Sequence, residues 1–237
     1  MAQFKSYDDI GVSTEGHVAT IEIQRPPHNF FDYSLIQQIA DAMETIDEDN
    51  NLRCVVLCAQ GKSFCAGANF GSDGSSANRS QENNPTDKSS HLYVEAVRLF
   101  ATKTPIVGAI QGAAIGGGLG LSLVPDFRVA CPESRFAANF TRLGFHPGFG
   151  LTHTLPALIG NQKATLMFYT SRRIKGEEAY EWGLADMLVP LEEVRAAATD
   201  LAKEISENSP FGVMETRATM RQGLADRVRK TTDHELV

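Results

Sequence analysis

The chain has few of the features that mark membrane proteins or nucleic-acid-binding proteins. Glycines break its longest apolar stretch, between Val107 and Val124, so no segment approaches the roughly 18 apolar residues that a membrane helix needs. Its 22 Lys and Arg are outnumbered by 29 Asp and Glu, whereas a nucleic-acid partner would need a basic face. Residues 1–9 lack the apolar core of a signal peptide. We therefore expect a soluble, cytoplasmic protein with no membrane or nucleic-acid partner.

Cysteine is also scarce, and its spacing argues against metal or redox chemistry. The four cysteines include no Cys-x-x-Cys pair. Cys54 and Cys58 lie in an apolar run, where buried thiols are expected. His146 and His153 are spaced as in no metal-binding motif. We therefore predict no metal site.

The chain does contain the alternation of strands and helices that is typical of an α/β layer fold. Hydrophobic residues make up 42% of its 237 residues, which suits one globular domain. Ser34 is the expected N-cap of a helix that runs to about Asp47, because apolar residues recur there at helical spacing. The other predicted elements are strands at 17–23, 53–59, 106–110, 127–131 and 187–190, and helices at 191–207 and about 211–229.

Two segments do not fit this regular pattern. Residues 71–91 hold almost no apolar side chain, a composition that predicts a lid or a segment that is disordered in the free protein. The chain also reaches Val237 without a helix stop signal. We therefore expect that a C-terminal tail could be missing.

Two glycine-containing loops are the strongest functional signals. The first, residues 61–70, follows a predicted buried strand, and the second, residues 115–121, precedes an apolar stretch that could form a buried helix. Small residues let a ligand approach the backbone, and unpaired N–H groups at a helix start can donate to an oxygen that becomes negative. Either loop alone is more simply interpreted as a close-packed turn. The glycine spacing in the second loop does not match a dinucleotide-binding motif.

Taken together, the loops and their flanking motifs resemble the crotonase (enoyl-CoA hydratase/isomerase) superfamily. The resemblance covers nearly the whole chain. It is carried by Phe64-Cys-Ala-Gly-Ala68, Gly112-Ala-Ala-Ile-Gly-Gly-Gly118, Asp126-Phe-Arg-Val-Ala130, Leu143-Gly144 with Pro147-Gly148, and Trp182-Gly-Leu-Ala185.

The resemblance implies an α/β fold and a site for an acyl-CoA. Residues 1–190 would form a spiral of ββα units, followed by a helical region at 191–237, and subunits would assemble as trimers or dimers of trimers. The N–H groups of Ala68 and Gly117 would form an oxyanion hole, with the Ala66 carbonyl near the adenine. Coenzyme A would arrive as part of the substrate, so that no cofactor is permanently bound. The expected substrate-binding residues are Phe64, Ala66, Gly67, Phe70, Gly116 and Phe140.

The catalytic carboxylates of the family are absent from this chain. The two positions where hydratases of this family carry glutamates are Gly120 and Phe140, and the segment that carries the isomerase glutamate reads Pro147-Gly148-Phe149. General acid–base help is worth roughly 10²–10⁴ in rate, and glycine and phenylalanine cannot supply it. His146 is the best remaining acid/base candidate, because histidine titrates near neutral pH. Asp126, at the start of a predicted strand, is interpreted as structural.

Three functional hypotheses follow. The first is an enzyme of the enoyl-CoA hydratase/isomerase type that stabilises an enolate; ordinary hydration is not expected, and decarboxylation, thioester hydrolysis and double-bond isomerisation with another base stay open. The second is a non-catalytic acyl-CoA-binding or regulatory protein. The third is an unrelated α/β nucleotide-binding protein, which would need residues 116–120 to bind phosphate directly.

Overall fold

A computed structural model of the protein describes residues 2–69 and 92–235. The segment 71–91, for which a lid or disorder is predicted, lies outside the described residues. The strands are β1 (Ile10–Glu15), β2 (Val18–Ile23), β3 (Cys54–Ala59), β4 (Ile106–Ile110), β5 (Ala113–Ile115), β6 (Phe127–Ala130), β7 (Arg135–Ala137), β8 (Ile174–Lys175) and β9 (Met187–Leu188). The helices are α1 (Tyr33–Asp47), α2 (Leu92–Phe100), α3 (Gly117–Ser122), α4 (Leu151–Ile159), α5 (Asn161–Thr170), α6 (Gly176–Glu181), α7 (Val194–Ser206), α8 (Pro210–Met220) and α9 (Leu224–Glu235).

The strands form two sheets. The larger has the order β1-β2-β3-β4-β6-β9; β1 and β2 are antiparallel, and the other neighbours are parallel. The smaller sheet has the order β5-β7-β8, and Cys65 extends it by a parallel bridge to Ala114. The second glycine loop follows β5 directly, so the small sheet is what places the two loops side by side.

The central strand β3 explains why the larger sheet needs cover on both faces. Val55 and Leu57 point into the core that contains α1 and α2, whereas Cys54 and Cys58 point into a second core with Ala198 of α7. All residues of β3 are buried, as expected for a parallel strand between two helical layers. The prediction of buried thiols is confirmed: burial raises the pKa of Cys54 to about 12 and that of Cys58 to about 11.

Helix α1 ends at Asp47 as predicted, but its predicted N-cap is wrong. The cap is Asp32, whose backbone is extended and whose carboxylate accepts the Leu35 N–H at 3.0 Å. Ser34 lies inside the first turn, and its hydroxyl accepts a hydrogen bond from Gln38 at 3.0 Å. A carboxylate two residues earlier therefore takes the capping role that the sequence assigned to a hydroxyl.

The predicted strands are confirmed as β2, β3, β4, β6 and β9. The strands that the sequence analysis missed are β1, whose six residues are mostly exposed or only partly buried, and the shorter β5, β7 and β8. The helix predicted over 211–229 is wrong in one respect, since the structure has two helices there, α8 and α9. They are separated at Gly223, which has φ +70°, a conformation that ends helices. After this break α9 packs against α2 and α4. No helix in the described ranges combines the length and apolarity needed to cross a membrane.

Candidate active site

The first glycine loop is held in place by backbone hydrogen bonds on both sides. The Cys65 N–H donates to the Ala113 carbonyl at 2.9 Å, and the Cys65 carbonyl accepts from Ile115 at 3.0 Å. On the other side the Ala66 N–H donates to the His28 carbonyl at 2.9 Å. Gly67 has φ +84°, and a β-carbon there would lie 2.7 Å from the Ile115 carbonyl oxygen. Glycine is therefore required at residue 67 for both conformation and space.

Asn29 is a positioning residue for this loop that the sequence analysis missed. Its side chain is fully buried, and its Nδ2 donates to the carbonyls of Gln60 and Ser63, both at 2.7 Å. Its Oδ1 accepts the Arg25 N–H at 3.0 Å. One amide therefore ties the end of β2 to the start of the first glycine loop. A lone asparagine gives no local signal of burial in the sequence.

The second glycine loop turns β5 into α3. The Gly116 N–H donates to the Ala137 carbonyl at 2.8 Å, and Gly116 has φ 58° and ψ −124°. The next residue, Gly117, begins α3 and is buried. A β-carbon at Gly117 would overlap the ring of Phe31, and one at Gly118 would overlap the Cys65 carbonyl. The triple glycine therefore lets the two loops and Phe31 approach closely.

These contacts bring the two predicted oxyanion donors to one junction. The β-carbon position of Gly67, next to Ala68 in the chain, lies 3.9 Å from the Gly117 nitrogen. Within residues 2–69 and 92–235, neither the Ala68 N–H nor the Gly117 N–H donates to a backbone carbonyl. Ala68 is partly exposed to solvent. Two N–H groups from different loops are therefore available to an incoming acceptor.

The predicted substrate-binding residues lie at different depths around this junction. Ala66 is partly exposed and Gly67 is buried. Phe140 is 8% exposed, and its Cζ atom lies 3.9 Å from the β-carbon position of Gly116. Phe64 is fully buried in the core, so it supports the loop from behind. Phe70 lies outside the described residues.

Gly120, where the resemblance predicts the first hydratase glutamate position, has no room for a side chain. A β-carbon there would lie 2.6 Å from Cδ1 and 2.7 Å from both Cβ and Cγ of Phe149. Phe149 is fully buried. The absence of a carboxylate at residue 120 is therefore matched by an aromatic ring in the space that the carboxylate would need.

His146 lies on the exposed segment 141–146. Its Nδ1 lies 2.7 Å from the Pro147 carbonyl oxygen, and a carbonyl only accepts, so this contact places a proton on Nδ1. In the described part of the chain, His146 forms a hydrogen bond with Pro147 and a ring contact with His234, at 6.0 Å between the ring centroids. Neither of these contacts is to a glycine loop. His146 stays a prediction as an acid/base. Nε2 is the atom that would exchange the proton.

Two titratable groups that the sequence analysis missed flank Phe149. Glu235 accepts the Gly150 N–H at 2.8 Å and the Thr152 hydroxyl at 2.9 Å. Burial raises the pKa of Glu235, although these hydrogen bonds oppose the shift. Burial also raises the pKa of Tyr93 to about 12, with the charge of Glu235 adding to the effect. No local signal could pair Glu235 with Gly150, since 85 positions separate them.

Asp126 is structural, as predicted. Its carboxylate accepts the Ile106 N–H at 2.8 Å and pairs with Arg217 at 2.9 Å and Arg221 at 2.8 Å. Burial alone would raise the pKa of Asp126, but the charges of both arginines outweigh it and lower the pKa. This ion cluster fixes α8 against the start of β6, away from the glycine loops.

The fold and the two glycine loops define a protein of the crotonase class, and comparison with known proteins agrees. Residues 13–236 match the profile of the Enoyl-CoA hydratase/isomerase family, and the chain belongs to this family. The crotonase-like α/β fold predicted from the sequence is thereby confirmed.

Individual relatives cover most of both chains. The Bacillus subtilis protein YngF, which is named for the same family, is 34% identical over 88% of this chain and 79% of its own length. A crotonyl-CoA hydratase of Syntrophomonas wolfei is 29% identical over 92% of this chain and 84% of its own. The crystal structure of an enoyl-CoA hydratase/isomerase from Pseudoalteromonas atlantica superposes with a TM-score of 0.85 at 26% identity, covering 96% of this chain and 88% of the other.

Proposed function

We propose that this family member binds an acyl-CoA and polarises its thioester carbonyl with the N–H groups of Ala68 and Gly117. The observation that carries the proposal is the close approach of the two loops, with the β-carbon position of Gly67 3.9 Å from the Gly117 nitrogen, while neither the Ala68 nor the Gly117 N–H donates to a backbone carbonyl in the described ranges. As the carbonyl oxygen gains negative charge during reaction, both hydrogen bonds strengthen. One such donor is worth about 3–4 kcal/mol in the transition state.

The rest of the substrate would lie along the surfaces that flank these donors. The Ala66 carbonyl would accept a hydrogen bond from the adenine, and the Phe140 ring, whose Cζ lies 3.9 Å from the β-carbon position of Gly116, would offer an apolar contact to the acyl group. Coenzyme A is part of the substrate in this proposal and leaves with the product. Phe64 acts indirectly, since it is fully buried beneath the first loop.

The reaction we propose is one other than hydration. Water addition needs carboxylates to activate water and to deliver a proton, and residues 120 and 140 are glycine and phenylalanine. Decarboxylation is the best fit among the remaining reactions, because the electron pair of the breaking C–C bond enters the enolate and no strong base is needed. Thioester hydrolysis or isomerisation would require His146 or another group to move a proton.

A non-catalytic acyl-CoA-binding protein is the second candidate. It is favoured by the packing of Phe149, which fills the space that a side chain at Gly120 would need. The two candidates agree on binding and differ only in turnover. They can therefore be separated by one set of measurements.

Calorimetry with free CoA and with acetyl-, crotonyl- and malonyl-CoA tests the shared part of the proposal. We expect the thioesters to bind more tightly than free CoA, because only they carry a thioester carbonyl that can reach the two donors. Absence of binding by every thioester would refute the proposal. Mass spectrometry of the same mixtures then measures turnover, and binding without any turnover would establish the non-catalytic alternative.

The acid/base role of His146 has its own test. His146→Ala should abolish a proton-transfer reaction while acyl-CoA binding is retained, and His153→Ala is the matched control, since His153 contacts Arg227 at 3.4 Å. Unchanged turnover in His146→Ala would remove His146 from the mechanism.

We also propose that the protein is a homotrimer or a dimer of trimers. Several large apolar side chains are exposed on the single chain, including Phe145 at 54%, Tyr169 at 81% and Met220 at 81%. Exposed apolar patches are typical of interfaces. Light scattering coupled to gel filtration measures the assembly directly, and a monomeric mass would contradict the proposal.

A further inference from the structure

Phe149 is held in a strained backbone conformation. It has φ 65°, the left-handed region that a bulky residue rarely adopts. Its side chain is nevertheless 0% exposed. Strain of this kind persists only where the surrounding structure fixes it, and it is found preferentially at functional sites.

Two helices fix the segment that carries this ring. The Tyr93 ring of α2 occupies the space of a β-carbon at Gly148, and Val228 of α9 does the same at Gly150. Glu235, at the end of α9, accepts the Gly150 N–H at 2.8 Å. The segment is therefore clamped on both sides, and the direction of the Phe149 side chain follows from it.

The ring belongs to an aromatic cluster. Phe31 lies 6.1 Å away between ring centroids, and Tyr93 and Phe100 lie 6.3 Å away. The interplanar angles of 73°, 70° and 68° are edge-to-face arrangements, which stabilise aromatic pairs. The cluster fills the space behind α3 with apolar atoms.

This cluster reaches the proposed carbonyl donor. Gly117 and Gly120 are three residues apart on α3 and therefore share one helix face. Phe31 occupies the space of a β-carbon at Gly117, and Phe149 occupies that at Gly120. Since the Phe149 β-carbon is itself one of the atoms that block residue 120, rotation of the ring cannot clear the space.

We propose that Phe149 is the specificity-determining residue of the acyl site, and that it restricts the substrate to CoA thioesters of short acyl groups. The inference rests on the proposed acyl-CoA-binding function. The ring closes the space at Gly120, on the same face of α3 as Gly117, to a longer acyl chain and to any side chain at residue 120. It thereby makes that wall apolar, which suits an enolate that must not meet water.

A double-mutant cycle between Gly120→Ala and Phe149→Gly tests the packing without assuming any ligand, because only glycine removes the β-carbon of residue 149 together with the ring. We expect Gly120→Ala to lower the melting temperature by roughly 4–8 °C in the wild type and by less than half as much beside Phe149→Gly. Phe100→Ala is the matched control, because Phe100 touches the same cluster but does not block Gly120. If Phe149→Gly does not fold, Phe149→Ala replaces it, with a smaller but still non-additive relief expected. Additive shifts would overturn the proposal.

Acyl-chain preference tests the specificity role. Calorimetry compares free CoA, butyryl-CoA and octanoyl-CoA in the wild type, in Phe149→Ala or Phe149→Leu, and in Phe100→Ala. We expect only the Phe149 variant to bind octanoyl-CoA about 10-fold more tightly than the wild type does, as for burial of about two more methylene groups, with affinity for free CoA unchanged.

The outcomes separate this inference from the function on which it rests. If no thioester binds the wild type, the proposed function fails, although the stability cycle still reports on the packing. If butyryl-CoA binds but octanoyl-CoA gains nothing in the Phe149 variant, acyl-CoA binding stands and the specificity role is overturned.

Discussion

Gly118→Ala is the substitution that most directly tests whether the spacing of the two glycine loops matters. A β-carbon at residue 118 would lie 2.0 Å from the Cys65 carbonyl oxygen, whereas real β-carbons stay beyond 3.0 Å. The obstructing atom belongs to the backbone of the first loop, so no side-chain rotation relieves the overlap. The two loops must therefore move apart.

The structure sets the size of this movement. Restoring an acceptable contact requires a displacement of about 1 Å between the loops. The proposed donors Ala68 and Gly117 belong to the two different loops, so we expect their separation to grow with this movement. A misplacement of about 1 Å can cost about 10²-fold in rate, comparable to the loss of one oxyanion donor.

Infrared difference spectroscopy of a ¹³C-labelled thioester carbonyl measures the effect even without turnover. Two hydrogen bonds to the oxygen should lower the carbonyl stretching frequency in the wild type, and Gly118→Ala should lose most of this shift. Gly212→Ala is the control, because the nearest atom to a β-carbon there is 3.7 Å away. A folded Gly118→Ala protein with an unchanged carbonyl shift would refute the reasoning.

The remaining predictions concern buried charges and thiols. Asp126→Asn leaves Arg217 and Arg221 without their shared carboxylate, and should destabilise the fold by roughly 3–5 kcal/mol in urea unfolding at pH 7. Because the pKa of Asp126 is lowered, its stabilisation is present above its ordinary pKa of 3.8 and is lost as the pH falls through the folded-state value. Glu235→Gln should show the opposite sign. Since the pKa of Glu235 is raised, the wild type loses stability relative to the variant as the pH rises from 4.5 through the folded-state value. The thiol of Cys65, with a pKa raised by burial to about 12, should resist alkylation at pH 8 until the protein is unfolded.

These predictions have matched controls and results that would contradict them. Asp200→Asn and Asp233→Asn replace exposed carboxylates on α7 and α9, and should leave stability and its pH dependence unchanged. If Asp126→Asn unfolds at the wild-type urea concentration, the ion cluster does not hold α8. If the difference in stability between Glu235→Gln and the wild type does not change with pH, the raised pKa of the Glu235 carboxylate is contradicted. Alkylation of Cys65 in the native protein would contradict the burial of its thiol.

Much of the fold follows from local pattern. The buried strands β3, β4 and β6 were predictable because a strand covered on both faces is a continuous apolar run bounded by turn residues. Helix α1 was predictable from its apolar face, but not its first residue, because Asp32 and Ser34 are both chemically suitable caps. The break between α8 and α9 was missed, since one glycine in an amphipathic stretch is compatible with a continuous helix.

The sequence by itself determined the two glycine loops and the absence of an acidic side chain at Gly120 and Phe140, because residue identity alone carries both facts. Only the tertiary structure decided that a ring occupies the space at Gly120. Phe149 reaches Gly120 through its positive φ and the clamp formed by α2 and α9. Close packing between distant segments is fixed by the whole fold and leaves no periodic trace in the chain. Residue 120 lacks an acidic side chain in the sequence, and in the structure the aromatic ring of Phe149 fills the space beside it.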